Sequence, residues 1–511
     1  MDFCIFNVPK MDLRAPSIGL AQLNGSVKGA GLTSKAFDLN ILMWRELSKL
    51  GYGKFWLYSD TTFVDAVEYA KHYHIIHPVM ERLLIENIPK NTSVIGVSLF
   101  CNFSFIPLKS ILEILRDNYP SSRIILGGPG ISIRNKGECS VILEEYKAED
   151  LYDDFMFGDG DFVIPEYIRG DYSSFALNSF IPDDRSMSDL SPYYPDYTDF
   201  TMSHYPKNHL DAEQFSEGPN NWVYITGSKG CVRNCTFCDV ATIWGKFRTK
   251  SGEQIAREMI HQNITVGVNK FRFTDSLLNG NLKVLKNLCE TLLTHNKRLI
   301  WHGQYICRDQ SQQSPEFYDL MSAAGLDLVS IGIESGSESV RMHMKKNFDN
   351  PSLYYTLDQC KRVGIKVVPL MMVGYPTETE EDFLQTLEFI DRLSDYKEIV
   401  VDLNLNNPTR ILPGSPLSDK VQFSEIHYDN LIKDSEFTSN WWSEQCDYIT
   451  RIERFFRFHN QLNKNGFKRS YAGGDFNYYQ QEYIRIGGSN KNILSMIESV
   501  KREEYYNFGG V

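Results

Sequence analysis

The chain has 511 residues, of which 42% are hydrophobic and 23% are charged, as in ordinary globular proteins, and its formal net charge at pH 7 is −12. This acidic balance argues against a nonspecific nucleic-acid interface, which would need a basic face. No apolar run approaches the roughly 20 residues of a membrane-spanning helix, and the N-terminus lacks the pattern of a signal peptide. We therefore expect a cytoplasmic protein of roughly two to four domains, with no nucleic-acid or membrane partner.

The first 170 residues predict an α/β domain. Apolar runs at 92–100 and 122–130 are typical of buried strands, and the segment between them has helical spacing. A strand, a helix and a strand in this order form a βαβ unit, so we expect a doubly wound, Rossmann-like parallel sheet over residues 1–170. Residues 171–221 are rich in Pro, Ser, Asp and Tyr with little periodicity, which predicts a linker.

A second alternating series begins at residue 222. Helical patterns separate its candidate strands, which are 222–226, 270–275, 298–303, 326–334, 365–374 and 398–405. This alternation predicts a partial (β/α)6 barrel over residues 222–423, in which ligands gather at the carboxyl ends of the strands.

The C-terminal region, residues 424–511, has an aromatic and mainly helical pattern instead. We interpret it as either a cap over the barrel mouth or a helical appendage. Its aromatic residues could line a substrate pocket, but aromatic clusters more often form plain core.

Three of the ten cysteines form a cluster with the spacing CxxxCxxC: Cys231, Cys235 and Cys238. Thiolates are suited to iron–sulfur clusters or to zinc. A closed zinc site needs four ligands, usually as paired CxxC units, and no nearby histidine completes such a set. Coincidence or zinc remains the alternative, but three thiolates can also hold a cubane cluster and leave one iron open for a small molecule.

This loop, with Phe237 directly before its last cysteine, resembles the radical S-adenosylmethionine (SAM) superfamily. The resemblance implies a 4Fe-4S cluster held by Cys231, Cys235 and Cys238. It further implies that the open iron chelates the amino and carboxylate groups of SAM. Reductive cleavage of SAM would then give a 5′-deoxyadenosyl radical, which abstracts a hydrogen atom.

Segments at the ends of later strands resemble the SAM-binding stretches of the same family. The residues that the resemblance implies are Thr274, Asp275, Ser276, Glu334, Ser335 and Gly374. The first three would receive the amino end of SAM, the next two its ribose and carboxylate, and the glycine its adenine. Each segment alone also fits an ordinary turn or helix cap. Arg248 is a further candidate for the SAM carboxylate or a substrate acid, with a surface salt bridge as the alternative.

The N-terminal domain resembles the cobalamin-binding domain that is fused to many radical SAM enzymes. The residues carrying this resemblance follow two successive strands: Ser98, Leu99, Gly127 and Gly128. Small residues at strand ends open the crevice in which a doubly wound sheet binds ligands. The axial-histidine motif Asp-x-His-x-x-Gly is absent, and Asn40 stands where a histidine might be sought. We therefore expect cobalamin without a histidine below the cobalt; a domain that kept the fold and lost the cofactor is the alternative.

The resemblance spans about residues 1–420 and is to the cobalamin-binding radical SAM family. It implies a class B-type methyltransferase that methylates an unactivated carbon of a small organic substrate, with an electron donor such as flavodoxin or ferredoxin. One alternative is radical cyclisation, rearrangement or oxidation without methyl transfer. Another is a noncatalytic sensor of redox state or light. A tRNA methylthiotransferase is less favoured because no basic RNA-binding appendage is evident.

Overall fold

The structure is a computed structural model. It describes residues 1–9, 13–58, 66–100, 105–131, 138–156, 158–171, 193–205, 222–405, 407–412, 414–418, 427–428, 441–467 and 473–497. Most of the predicted linker, and parts of the region after residue 418, lie outside the described residues.

The chain divides into two compact units. The first comprises Met1–Lys229, Arg248–Thr274 and His295–Leu299, and the second comprises Gly230–Phe247, Asp275–Thr294 and Ile300–Val511. The domain boundaries expected from the sequence stay predictions, because a division by compactness is no test of them.

The N-terminal sheet has five parallel strands in the order β2-β1-β3-β4-β5. They are β1 (Phe3–Asn7), β2 (Ser34–Phe37), β3 (Val94–Ser98), β4 (Arg123–Gly127) and β5 (Asp154–Phe155). The accompanying helices are α1 (Ile18–Gly29), α2 (Leu39–Lys49), α3 (Gly53–Tyr58), α4 (Ala66–Asn87), α5 (Phe105–Asn118), α6 (Glu138–Ala148) and α7 (Gly160–Arg169). Every residue of β1 is buried, as a central parallel strand requires. The predicted doubly wound parallel sheet is confirmed.

The register of this sheet aligns three strand ends. Asn7 at the end of β1 pairs with Ser98 at the end of β3, and Ser98 pairs with Gly127 at the end of β4. Parallel strands bring their carboxyl ends to one edge, so these residues form a row along the edge where doubly wound sheets bind ligands.

The second sheet also has five strands, in the order β12-β11-β10-β9-β6, and each neighbouring pair with a recorded register is parallel. They are β6 (Trp222–Ile225), β9 (Lys270–Phe273), β10 (Ile300–Tyr305), β11 (Leu326–Glu334) and β12 (Lys366–Met371). A short antiparallel hairpin of β7 (Ser228–Lys229) and β8 (Arg248–Thr249) lies between β6 and β9 in the chain. The intervening helices are α8 (Val240–Trp244), α9 (Gly252–Val266), α10 (Leu282–Leu292), α11 (Pro315–Ala323), α12 (Glu338–His343), α13 (Asn350–Val363) and α14 (Glu380–Arg392).

The sixth predicted strand, 398–405, is reduced to two isolated parallel bridges to β12, Val367 with Val400 and Leu370 with Asn404. Between them the Asp402 side chain accepts a hydrogen bond from the Leu403 backbone N–H at 2.8 Å. A local side-chain acceptor of this kind competes with a regular ladder. The segment therefore follows β12 without forming a continuous strand.

The C-terminal region contains a two-residue antiparallel pair and two long helices among its described residues. These are β13 (His427–Tyr428), β14 (Trp441–Trp442), α15 (Tyr448–Lys464) and α16 (Gly473–Arg485). Phe455 and Phe456 of α15 are buried and pack edge to face, which makes them core residues. No helix that the structure describes is both long and apolar enough to span a membrane.

Candidate functional site

The three clustered cysteines lie on the loop between β7 and α8, and all three are free. The Cys238 N–H donates to the Cys235 carbonyl at 3.2 Å, which closes a turn between those two residues. The Arg233 N–H lies 3.4 Å from the Cys231 sulfur. Backbone N–H groups near thiolate sulfur tune an iron–sulfur cluster.

Within the described part of the chain, no group of three or more His, Cys, Asp or Glu side chains could hold a metal ion. A cubane cluster makes a different demand, because each cysteine binds a different iron and the sulfurs need not converge on one point. Three free thiols on one short loop are the donor set that such a cluster requires, so the residues present fit it.

Burial favours the neutral form of two of the three thiols, those of Cys235 and Cys238. Burial raises the pKa of Cys238 to about 11 and also raises the pKa of Cys235, although the nearby Lys346 opposes the shift of Cys235. Ligand thiols must lose their protons to bind iron, so loading of the cluster is coupled to proton release.

Thr236, inside the cysteine turn, is fixed by three other segments of the chain. Its N–H donates to the Met344 carbonyl at 3.1 Å, and its carbonyl accepts from the Leu417 N–H at 2.7 Å. Its hydroxyl lies 2.7 Å from the hydroxyl of Tyr375, and both side chains are buried. The segment that carries Cys235 and Cys238 is therefore anchored by both its backbone and a side chain.

Glu334 ends β11 in a backbone conformation that is unusual for a residue with a side chain. Its φ is +69°, and the pairing register with β12 shifts between Gly332 and Glu334. Its carboxylate forms a buried ion pair with Lys346, with Nζ at 3.0 Å from Oε1. A Cβ on Gly332 would lie 2.6 Å from that oxygen and 2.7 Å from Nζ, so the glycine makes room for the pair. Backbone strain of this kind clusters at functional sites.

Lys346 is a site residue that sequence reasoning missed. Burial opposes its charge, but Glu334 and Cys235 outweigh burial, and the pKa of Lys346 is raised. Its Nζ lies 5.8 Å from the centroid of the Phe237 ring, which places the ammonium beside the cysteine loop. The available signal was the carboxylate at the end of β11, since a buried carboxylate needs a cation.

Ser335, the neighbour predicted to act with Glu334, has its hydroxyl engaged inside the protein. The hydroxyl accepts from the Ser337 N–H at 3.1 Å and lies 3.2 Å from the Thr386 hydroxyl. Its carbonyl accepts from Arg341 at 2.7 Å. These bonds shape the turn that follows Glu334.

Thr274, Asp275 and Ser276 follow β9 directly, as the sequence predicts. Thr274 is exposed, and its hydroxyl lies 2.7 Å from that of Thr226 at the end of the neighbouring β6. Asp275 is buried and Ser276 is half-buried. Two adjacent strands thus present a pair of hydroxyl groups at their carboxyl ends.

Gly374 lies in the loop after β12 with φ of +76°, and its N–H donates to Glu378 Oε2 at 2.6 Å. A Cβ at this position would lie 2.3 Å from Arg451 Cγ. The space that this glycine leaves open is therefore filled by a side chain of α15.

Arg248 lies in β8, where its Nη2 is 3.4 Å from the Asp159 carboxylate. Lys229 of β7 forms an ion pair with the same carboxylate. Because β7 and β8 come directly before and after the cysteine loop, Asp159 binds both strands at the base of that loop.

Arg308 is a second residue that sequence reasoning missed. It follows β10 by three residues, and its Nη2 donates to the Asn279 carbonyl at 2.7 Å. Burial and the nearby positive charge of Arg233 lower the pKa of Arg308. Its position just after a predicted strand was the signal that could have found it.

The residues predicted to border cobalamin meet at the carboxyl edge of the N-terminal sheet. The Leu99 N–H donates to the Gly127 carbonyl at 2.8 Å, which joins the ends of β3 and β4. Gly128 has φ of +99°, and a Cβ there would lie 2.3 Å from the Leu99 carbonyl oxygen. Among the residues that the structure describes, the atom nearest to a Cβ on Gly127 would be the Met156 carbonyl oxygen, at 3.9 Å. Within that part of the chain, Gly127 leaves space beside the row of strand ends, as a large flat ligand would require.

Next to this edge lies a buried polar network. Asp38 accepts from the Asn7 side chain at 2.9 Å and from the Tyr205 hydroxyl at 3.0 Å. Burial raises the pKa of Asp38 although these donors oppose the shift. Asn40 is likewise engaged, because its Oδ1 accepts from the Trp56 indole N–H at 3.2 Å.

Together these features form a parallel β/α sheet with a three-thiol loop after its first strand and polar groups at later strand ends. Residues 225–390 match the family model of the radical SAM superfamily. The family resemblance found in the sequence is confirmed, and with it the expectation of a 4Fe-4S cluster and SAM as cofactors.

The chain is also similar to particular proteins. It is 29% identical to the hopanoid C-2 methylase of Rhodopseudomonas palustris over 42% of this chain and 40% of that protein. The first eight curated relatives are matched over 36% to 66% of their own length, so the chain spans about half of each.

Two solved structures share the fold over most of the chain. The methyltransferase TsrM from Kitasatospora setae, with cobalamin and a 4Fe-4S cluster bound, is 14% identical, covers 89% of this chain and 84% of its own, and has a TM-score of 0.56. The cobalamin-dependent SAM radical enzyme OxsB, with aqua-cobalamin bound, is 14% identical, covers 91% and 67%, and has a TM-score of 0.58. At these identities the likeness concerns the fold alone.

Proposed function

We propose that this protein is a cobalamin-dependent radical SAM methyltransferase acting on an unactivated carbon of a small organic substrate. The observation that carries the proposal is the combination, in one chain, of a radical SAM domain and a doubly wound sheet with an open, glycine-lined carboxyl edge. The fold likeness to TsrM and OxsB and the similarity to a hopanoid methylase support it.

In this proposal a bound 4Fe-4S cluster would supply the electron for SAM cleavage, and bound cobalamin would supply the methyl group. Cys231, Cys235 and Cys238 hold the cluster. Thr274, Asp275 and Ser276 bind the amino end of SAM. The protein contributes binding, orientation and exclusion of water, and leaves the hard chemistry to its cofactors.

The remaining SAM and cobalamin contacts follow the strand ends. Glu334 offers its carboxylate to the ribose, and Lys346 holds that carboxylate in place. Ser335 and Gly374 shape the turns on either side of SAM. Ser98, Leu99, Gly127 and Gly128 border the corrin, with no histidine below the cobalt. Arg248 serves the base of the cysteine loop through Asp159.

The test is anaerobic reconstitution of the full-length protein with iron, sulfide and hydroxocobalamin, reduced by flavodoxin or ferredoxin. We expect a cluster absorption band, stoichiometric corrinoid and formation of 5′-deoxyadenosine, followed by a product that is one CH2 unit heavier than the substrate. A product of unchanged carbon count would favour cyclisation, rearrangement or oxidation. Failure to form 5′-deoxyadenosine under strong reductant would favour a sensor.

Replacing one cluster ligand tests the cysteine assignment directly. Cys235→Ala is expected to abolish SAM cleavage, because one thiolate of the cluster is lost. Cys289→Ala is the matched control, since Cys289 is also a free, buried cysteine but lies on α10. A fully active Cys235→Ala variant would contradict the proposal.

A further inference from the structure

We infer that Tyr375 is a positioning residue for the cysteine loop and that the C-terminal segment 441–454 holds Tyr375 in place. The inference rests on the proposed function only in taking the cysteine loop as the holder of the cluster. It assigns a structural role to the C-terminal region, which is to stabilise the position of the cysteine loop.

The first step is the contact between Tyr375 and Thr236. Tyr375 is fully buried, its hydroxyl lies 2.7 Å from the Thr236 hydroxyl, and it can also donate to the His343 carbonyl at 3.4 Å. The ring belongs to an apolar cluster that includes Met344, Leu417 and Trp441. Hydroxyl groups in such surroundings keep their hydrogen bonds, since an unpaired one is costly.

The second step is the position of Thr236 in the chain. Thr236 follows Cys235 directly and precedes Cys238 by two residues. A displacement of Thr236 therefore moves the sulfurs on both sides of it. Metal sites need such ligands held within a fraction of an ångström by the groups around them.

The third step is the loop that carries Tyr375, residues 373–378, which the C-terminal segment contacts on both sides of the tyrosine. Arg451 packs against Gly374, and the Ser443 hydroxyl donates to the Pro376 carbonyl at 2.6 Å. Arg454 donates to the Glu378 carbonyl at 2.9 Å and to its carboxylate at 3.0 Å. The tyrosine backbone is thus held from either side.

Trp441 joins these contacts to the apolar cluster. Its carbonyl accepts from Arg451 at 2.6 Å, and the Arg451 guanidinium lies 3.8 Å from the centroid of its ring. Its indole N–H donates to the Thr409 carbonyl at 3.3 Å. The segment that runs from Trp441 to Arg454 is therefore part of the support of the loop.

The test compares Tyr375→Phe and Thr236→Val with wild type, in full-length protein reconstituted with iron and sulfide. Each variant removes one hydroxyl and keeps the buried shape. We expect loss of iron to a chelator to be roughly threefold to tenfold faster, and the EPR signal of the reduced cluster to change. The unfolding temperature of the iron-free protein should fall no further than in a control variant that loses a buried tyrosine hydroxyl far from the cysteine loop. The double variant should lose iron about as fast as Tyr375→Phe, because the hydrogen bond between the two hydroxyls is already lost in that single variant.

Tyr119→Phe is the matched control. It removes a buried tyrosine hydroxyl just after α5, in the first compact unit, that donates to the Ile88 carbonyl at 2.8 Å. If this variant loses iron as fast as Tyr375→Phe, the effect is general destabilisation and the inference is overturned. Iron retention and EPR signals equal to wild type in both Tyr375→Phe and Thr236→Val would also overturn it.

The role of the C-terminal segment is tested by Ser443→Ala, which removes the bond to Pro376 and the bond accepted from the Cys446 N–H at 3.2 Å, without changing a charge. We expect faster iron loss than in wild type, in the same direction as Tyr375→Phe. Wild-type iron retention in Ser443→Ala would overturn this part of the inference. A wild-type protein that takes up no cluster would instead contradict the proposed function, so the two failures are distinguishable.

Discussion

At the carboxyl edge of the N-terminal sheet, two adjacent glycines have different physical reasons to be glycine. Gly128 adopts φ of +99°, and a Cβ there would come within 2.3 Å of the Leu99 carbonyl oxygen. The nearest described atom to a Cβ on Gly127 would be 3.9 Å away, which is ordinary van der Waals contact. Gly128 is therefore required by the fold, whereas no described neighbour requires glycine at position 127.

This difference predicts a stability ranking. Gly31→Ala serves as the control, because Gly31 has φ of +81° and no described residue lies within 4 Å of its Cβ position. This control substitution should lower the free energy of unfolding by about 1 kcal/mol, because alanine is disfavoured in the left-handed backbone region. Gly128→Ala should lower it by roughly 3 kcal/mol or more, because a steric clash with the Leu99 carbonyl oxygen is added. Urea unfolding of both variants measures the difference, and equal losses would show that the clash is relieved.

Single residues also mark the limit of what the sequence predicts. The spacing of Cys231, Cys235 and Cys238 predicts a cluster site from the sequence alone, because all three candidate ligands lie within eight consecutive residues. Lys346 could not be found in this way. Its ion pair with Glu334 depends on how the chain packs after β11, and no short motif in the sequence records that pairing.

At the scale of elements, the loop before α14 is joined to α15 by a buried ion pair between Glu378 and Arg454, at 3.0 Å. Burial raises the pKa of Glu378 from its ordinary 4.5 to about 7, although Arg454 and the Gly374 N–H oppose the shift. The junction of these two elements is therefore sensitive to pH.

The sign of this sensitivity follows from the raised pKa. Between about pH 4.5 and 7 the folded protein keeps a proton on Glu378 that the unfolded chain has lost, so its contribution to stability falls as pH rises through this window and is constant above it. Glu378→Gln should remove this slope. The measurement is the free energy of unfolding at several pH values, with Glu380→Gln, an exposed neighbour, as the control. Parallel pH profiles for wild type and Glu378→Gln would contradict the prediction.

The five strands of the second sheet, and β3 and β4 of the first, were predicted from apolar runs, but their ends were not. The run predicted at 365–374 is a strand only over Lys366–Met371, and 398–405 forms only isolated bridges. The apolar run continues beyond β12 into a buried loop that contains Val373 and Tyr375. Hydrophobicity alone therefore does not show at which residue the hydrogen-bonded strand ends.

At the scale of the whole molecule, the proposed cofactor residues divide between the two compact units. The residues that would border cobalamin belong to the first unit, and the three cysteines belong to the second. Because no residue of either set lies in the other unit, each set can be disabled separately.

This division predicts that cobalamin binding and SAM cleavage can be lost independently of each other. A variant with all three cluster cysteines replaced by alanine should bind cobalamin at wild-type stoichiometry and form no 5′-deoxyadenosine. Gly127→Leu should do the reverse, because its side chain enters the space left for the corrin while the cluster ligands are untouched. Corrinoid absorption after gel filtration and an assay of 5′-deoxyadenosine measure the two properties. Loss of both properties in either variant would contradict the assignment.

The sequence by itself predicted the radical SAM resemblance, three candidate cluster ligands and the order of β/α units, because each of these depends on residues close together in the chain. Only the tertiary structure decided how the cysteine loop is supported. The Thr236–Tyr375 contact joins residues 139 positions apart, and the Arg454–Glu378 contact joins residues 76 positions apart. Such contacts depend on which surfaces pack together, and no local pattern records them.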